Sequence, residues 1–199
     1  MSFKRAGFVA LTALAVVGMT VGPAGAAAPI NGAGKVRCTV TGTVKYSPAL
    51  KATSSGGTTS VLKTTVTCGK TGSTGDGLHL VSGKSTTKST YTTNDCKSVL
   101  TPTTPKPGTG IMKWKAATGT AKQNPSSITL TRTGGTGDAT HPVTVDSSGP
   151  VGAGGSYHGE TATSHTAIQE SYNDIATACL GKKGLKILHI TTGSTLALD

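Results

Sequence analysis

The sequence predicts an all-β protein, with a β-sandwich joined by Greek-key-like connections as the favoured architecture and a β-barrel as the alternative. Threonine, serine and glycine dominate the chain, and β-branched threonine fits a pleated strand better than a helix. Many short segments alternate apolar and polar residues, and clusters of Gly, Ser, Asn and Pro separate them. Helical features are confined to one short stretch near the C-terminus.

The first element is a predicted signal peptide over residues 1–26. Lys4 and Arg5 form a short basic region, and residues 8–21 are an almost uncharged apolar run. A transmembrane helix needs about 20 predominantly apolar residues, and this run is shorter. We therefore expect an export signal and no transmembrane anchor.

Small residues at positions 24–26 suit the pocket of a signal peptidase. They predict cleavage after Ala26, with Ala28 as a second choice. Residues 27–199 then remain as one secreted domain, which is long enough to build a core that excludes water. Because no cysteine lies at the cleavage site, we expect a protein that is free in the medium or associated with the cell wall.

The chain is basic, with a formal net charge of +11, and only Lys4 and Arg5 of its basic residues lie in the predicted leader. The lysines are scattered, and only Lys182 and Lys183 are adjacent, so we expect no specific nucleic-acid partner. Solubility is one interpretation of the charge. The other is attraction to an anionic cell-wall polymer or to lipid headgroups.

Two segments give the clearest strand patterns. In residues 36–46 apolar side chains, with Cys38 among them, alternate with Arg, Thr and Lys. Residues 62–68 alternate in the same way and place Cys68 with the apolar side chains. Both cysteines are therefore predicted to point inward.

The four cysteines lie after the predicted leader, and an even number in an exported protein predicts two disulfides. Four cysteines permit three pairings, and a metal site would favour C-x-x-C pairs, which are absent. Because Cys38 and Cys68 point inward from neighbouring strands, we expect the pairs Cys38–Cys68 and Cys96–Cys179.

The remaining chain is rich in strand signals. Met112, Trp114 and Ala116 share a face opposite Lys113 and Lys115, which predicts Trp114 as a core anchor. The further predicted strands cover residues 78–81, 85–92, 111–118, 127–132, 142–146, 155–163, 185–191 and 195–198.

A short helix is predicted between residues 171 and 180. Ser171 and Asp174 resemble a capping box, and Gly181 is a suitable residue to follow the last turn. Cys179 would attach this helix to the rest of the domain.

Several landmarks resemble small exported actinobacterial proteins of unassigned function. The run VRCTVTGTVKYSPAL over residues 36–50 resembles their opening strand. The resemblance implies a secreted immunoglobulin-like sandwich with four paired cysteines, and it implies no activity. The later landmarks are TCG at 67–69, Cys96 before a Pro-rich stretch, MKWK at 112–115, AC at 178–179, GLK at 184–186 and TTGS at 191–194.

No pattern in the sequence identifies a catalytic, cofactor-binding or metal residue. No H-E-x-x-H, G-x-S-x-G or S-x-x-K pattern places a histidine in a usable context. The one local cluster is His158 and Glu160, with His165 shortly after. On a strand, His158 and Glu160 would share a face about 7 Å apart, which suits two ligands of one metal. An exposed strand face explains the pair without a metal.

Two functional hypotheses follow. The favoured hypothesis is a non-enzymatic secreted binding or adhesion module at the cell envelope, because the chain is exported, basic and without a catalytic pattern. The alternative is a small secreted hydrolase that uses His158 with Glu160 or another acid. No cofactor is expected in the favoured case.

Overall fold

The structure is a computed structural model that describes residues 29–68, 80–97, 106–117 and 122–199. The predicted signal peptide and its cleavage sites lie outside the described residues. No helix in the described ranges is both long enough and apolar enough to span a membrane.

Eight antiparallel strands and a short helix, α1, make up the described fold. The helix lies between the last two strands, in the segment where the sequence predicts one. The elements are β1 (Val36–Leu50), β2 (Thr58–Cys68), β3 (Leu80–Tyr91), β4 (Gly108–Ala116), β5 (Ser126–Gly134), β6 (Thr144–Pro150), β7 (Thr161–Ala167), α1 (Tyr172–Leu180) and β8 (Leu185–Leu198).

The strands close into a barrel in which each strand pairs with the next along the chain and β8 pairs with β1. The predicted sandwich, with its Greek-key-like connections and its immunoglobulin-like character, is therefore wrong, and the barrel alternative is correct. The decisive contact is the long pairing of β1 with β8, from Val36↔Leu198 to Leu50↔Leu185. This pairing removes both sheet edges, which a sandwich would keep.

At two places where the sequence predicts a break between strands, the structure has one continuous strand with an irregularity in it. The predicted strands 185–191 and 195–198 form one strand, β8, whose register against β1 shifts between Val40 and Gly42. Likewise, β3 continues through Gly83 after a shift near Leu80, where two strands were predicted. Glycines that indicate turns in the sequence here lie in continuous strands, where bulges increase local twist.

Glycines at two inward positions allow close packing inside the barrel. A Cβ on Gly42 would lie 2.1 Å from the carbonyl oxygen of Lys63, and one on Gly83 would lie 2.8 Å from Met112 Sδ and 3.0 Å from Trp114 Cε3. Any larger side chain at these positions would therefore have to displace its neighbours.

The disulfides follow the pairing that the strand pattern predicts. Cys38 and Cys68 are opposite residues of β1 and β2, and both are buried inside the barrel. Cys96, just after β3, is bonded to Cys179 in α1. The second disulfide therefore fixes the helix to the barrel.

The helix begins and ends where its sequence signals predict. The Ser171 side chain accepts a hydrogen bond from the Asp174 N–H, and the Asp174 carboxylate accepts one from the Ser171 N–H. Gly181 follows the last turn in an extended conformation, and its N–H donates to the carbonyls of Thr177 and Ala178. A left-handed conformation is therefore not required at this glycine.

Aromatic and polar side chains fill one end of the barrel, here called the plugged end. Trp114 is half-buried, makes an edge-to-face contact with the fully buried Tyr157 at 5.5 Å, and donates from Nε1 to Ser126 Oγ at 2.7 Å. Ser126 donates in turn to the Ser156 carbonyl at 2.7 Å. Trp114 thus packs against the core, although the sequence predicts deeper burial.

Candidate functional site

A cavity of about 160 Å³ lies inside the barrel, towards the end opposite the plugged end. We call this the cavity end. Side chains alternate between the two faces of each strand, so every second residue of the barrel points inward. The cavity forms where many of these inward side chains are too small to meet across the barrel.

The wall of the cavity combines apolar groups with hydroxyl groups. Aliphatic side chains come mainly from β1, β2, β5, β6 and β8, and Ser and Thr side chains come from β2, β3, β6 and β7. This mixture is typical of a site for a ligand with both apolar and polar parts. The principal lining residues are Val44, Leu62, Leu130, Val145 and Leu188, with Ser60, Thr87, Ser89, Ser147, Ser164 and Thr166.

A smaller hollow of about 40 Å³ continues from the cavity towards the plugged end. The two spaces share Leu62, Thr87 and Leu130 among their lining residues, and the hollow extends to Val66 and Met112. The barrel core is therefore incompletely filled along much of its length.

Two cations and two phenols lie at the cavity end. Arg132, on the inward face of β5, lines the cavity with Tyr46, Tyr91 and Lys106. Burial lowers the pKa of the Arg132 guanidinium, although the neighbouring Tyr91 and Tyr46 oppose this effect. Burial raises the pKa of Tyr46, and Tyr91 raises it further. The Tyr46 hydroxyl is therefore a protonated hydrogen-bond donor at neutral pH.

Two carboxylates near this end are bound to histidines. Asp146, on the outward face of β6, lies 2.6 Å from His165 Nδ1 on β7. Glu170 accepts from the His189 N–H at 2.9 Å and lies 2.5 Å from its ring Nδ1. Partial burial of Glu170 opposes ionisation, but these hydrogen bonds hold its pKa below the usual range. Neither carboxylate lines the cavity.

The pair His158 and Glu160 does not form the predicted strand face. Residues 153–159 are a series of turns, and β7 begins only at Thr161, so the predicted strand over 155–163 is wrong in its first half. His165 lies on the barrel exterior, bonded to Asp146. Across the described ranges, no group of three His, Cys, Asp or Glu residues is arranged to hold a metal.

The fold brings lysines that are scattered in the sequence onto neighbouring strands. Strands β1–β4 contain no Asp or Glu, and Lys84 of β3 is directly opposite Lys113 of β4. None of the lysines on these strands has a carboxylate within 4 Å in the part of the chain that the structure describes. We call this surface the lysine face; it comprises the exposed side chains of Lys45, Lys63, Lys84, Lys88, Lys113 and Lys115.

No family model, curated protein or solved structure matches this chain. The resemblance to small exported actinobacterial proteins therefore stays a prediction.

Neither the cavity nor the lysine face is visible in the sequence, and the reason is the same for both. Arg132 is the last residue of a predicted strand, where a charged side chain is expected to face solvent. Ser89 and Ser147 are polar, so the sequence suggests that they face solvent as well. Their inward direction depends on the barrel register. One available signal was that the Ser and Thr residues of β3 occupy both alternating positions, which is unusual for a one-sided sheet with a dry core.

Proposed function

We propose that the protein is a secreted, non-enzymatic binding protein that holds a small molecule inside its barrel. The observation that carries this proposal is the cavity of about 160 Å³ in an eight-stranded closed barrel. Barrels of eight strands are wide enough either to be filled by side chains or to hold one small ligand. Here the inward Ser, Thr and Gly residues leave room for a small ligand.

The size and lining of the cavity limit the class of ligand. A cavity of roughly 150 Å³ is sufficient for benzene. The ligand is therefore a small molecule with an apolar ring or short chain, which packs against Leu62, Leu130 and Leu188. The hydroxyls of Ser89 and Ser147 have no hydrogen-bond partner within the described segments, so they are available to polar groups of the ligand.

The predicted export signal and the two disulfides support action outside the cell. Disulfides persist in oxidising compartments, and each one here closes a long loop, of 30 and 83 residues. A rigid barrel with a stapled helix suits a binding protein in such an environment, because a preformed site lowers the entropic cost of binding.

The cavity predicts that filling it will block binding. Ser147→Leu would place a larger apolar side chain in the cavity, whereas Ser148→Leu on the same strand adds the same side chain to the opposite face. We expect wild type and Ser148→Leu to broaden and shift the ¹⁹F NMR signal of 4-fluorobenzyl alcohol. Ser147→Leu should weaken this binding about tenfold or more.

Equal binding by Ser147→Leu and wild type would contradict the proposal. Thermal melts of both variants would verify that each is folded. A probe that binds none of the three proteins would exclude neutral ring compounds of this size as ligands.

The lysine face favours a second candidate function, attachment to an anionic polymer of the cell envelope. Like charges directly opposite one another on a sheet are destabilising, yet Lys84 and Lys113 form such a pair with no acidic neighbour on β1–β4. A polyanion laid across these strands would relieve the repulsion. This function uses the exterior of the barrel and is compatible with a ligand in its interior.

A further inference from the structure

We propose that the ligand of the barrel cavity carries an acidic group such as a carboxylate, which the guanidinium of Arg132 binds at the cavity end. This inference rests on the proposed binding function and specifies the chemistry of its ligand. It assigns to Arg132 the role of selecting acidic over neutral molecules.

The first support is the position of Arg132. It follows Ile128 and Leu130 on the inward face of β5 and lines the cavity. Its Nε donates to the Gly134 carbonyl at 3.0 Å, which fixes the guanidinium close to the end of the strand. In the described parts of the chain, no carboxylate lies within 4 Å of this guanidinium.

The second support is the sign of the charges around the cavity. Its lining contains two cations, Arg132 and Lys106, and no Asp or Glu among the described residues. Asp146 lies close enough to Arg132 to raise the pKa of its guanidinium, but it points outward and is hydrogen-bonded to His165 at 2.6 Å. The charged side chains that line the cavity in the described segments are therefore both positive, and the nearest carboxylate faces away from the ligand.

The third support is the chemistry of the groups beside Arg132. Guanidinium and carboxylate form two parallel hydrogen bonds, and such pairs are stronger where water is partly excluded. Tyr46 and Tyr91 line the cavity with Arg132. Because burial raises the pKa of Tyr46, its hydroxyl stays protonated at neutral pH and can donate a hydrogen bond to an anion. An acidic group is thus the complement of this end of the cavity.

These contacts orient the ligand. Its acidic group would lie at Arg132, while its apolar part would extend along Leu62 and Leu130 towards the hollow at Met112. The expected ligand is a small aromatic or short aliphatic acid, and a neutral analogue would keep only the apolar contacts.

The test compares 4-fluorobenzoate with 4-fluorobenzyl alcohol, which have nearly the same size but differ in charge at pH 7. Dissociation constants would be measured by ¹⁹F NMR for wild type, Arg132→Gln, Arg132→Lys and the control Arg37→Gln. Arg37 is an outward residue of β1 that pairs with Asp199 at the plugged end, away from the cavity.

We expect wild type to bind the acid at least tenfold more tightly than the alcohol. Arg132→Gln should remove this preference and leave alcohol binding within about twofold, which also shows that the variant is folded. Arg132→Lys should keep part of the preference, and Arg37→Gln should keep all of it.

Two outcomes would overturn the inference, and they are distinguishable. If the alcohol binds as tightly as the acid, or if Arg132→Gln weakens both equally, the cavity binds ligands but Arg132 does not select acids. If neither probe binds wild type, the proposed binding function fails for this class of ligand and the inference fails with it.

Discussion

At the scale of single residues, the interior of this barrel shows how side-chain size determines whether a barrel is filled or hollow. At the plugged end, Trp114 of β4 packs against Tyr157 from the turns before β7, with a ring separation of 5.5 Å. At the cavity end, several inward positions are occupied by small residues such as Ser89, Ser147 and Gly108, which leave space in the interior. The cavity therefore lies where small inward residues are interspersed among larger wall residues such as Tyr46 and Leu188.

Trp114→Ala should destabilise the protein by about 2–4 kcal/mol, because truncation removes the contact with Tyr157 and leaves space in the plugged end. Trp114→Phe is the matched control, since it keeps an aromatic ring but loses the hydrogen bond to Ser126 and part of the indole area. Its expected cost is about 1 kcal/mol. Urea unfolding would measure both; an unchanged free energy of unfolding for Trp114→Ala would show that Trp114 has no core role.

At the scale of secondary-structure elements, strand register determines which charges meet. The pairing of β3 with β4 places Lys84 opposite Lys113, although the two lysines are 29 positions apart in the sequence. The Ser171–Asp174 capping box, by contrast, depends on residues three apart. Local signals of this kind are visible in a sequence, and charges collected by register are not.

The lysine face predicts salt-sensitive binding to a polyanion. The double variant with Lys84→Gln and Lys113→Gln should elute from immobilised poly(glycerol phosphate) at a lower salt concentration than wild type. The reason is that its binding releases fewer counterions. The matched control is Lys182→Gln with Lys183→Gln, which removes equal charge from exposed lysines outside this face. Equal elution of the two double variants would show that only net charge matters.

At the scale of the whole molecule, the predictions from sequence succeed where the determinants are local. Alternation identified the β1 and β2 faces, and the inward direction of Cys38 and Cys68 led to the pairing that the structure contains. The capping residues located α1. These inferences depend on the period of a strand or on one helical turn, and both are encoded by nearby residues.

Barrel closure was not predictable in the same way, because it depends on pairing between the two most distant strands. Val36 and Leu198 are opposite residues of β1 and β8, and no local pattern in either strand specifies that partner. The same applies to the cavity, whose wall includes Tyr46, Arg132 and Leu188 from strands far apart in sequence. A sandwich and a barrel share the alternating pattern, so the pattern alone does not separate them.

The central claim, that the barrel interior binds a small acidic molecule, is tested most directly by methyl NMR during a titration with 4-fluorobenzoate. We expect the largest shifts at the cavity methyls of Val44, Leu62, Leu130 and Leu188. The exposed methyls of Val81 and Ile111, 39% and 47% exposed, serve as controls and should not move. Shifts confined to exposed methyls, or no shifts at saturating probe, would contradict the claim.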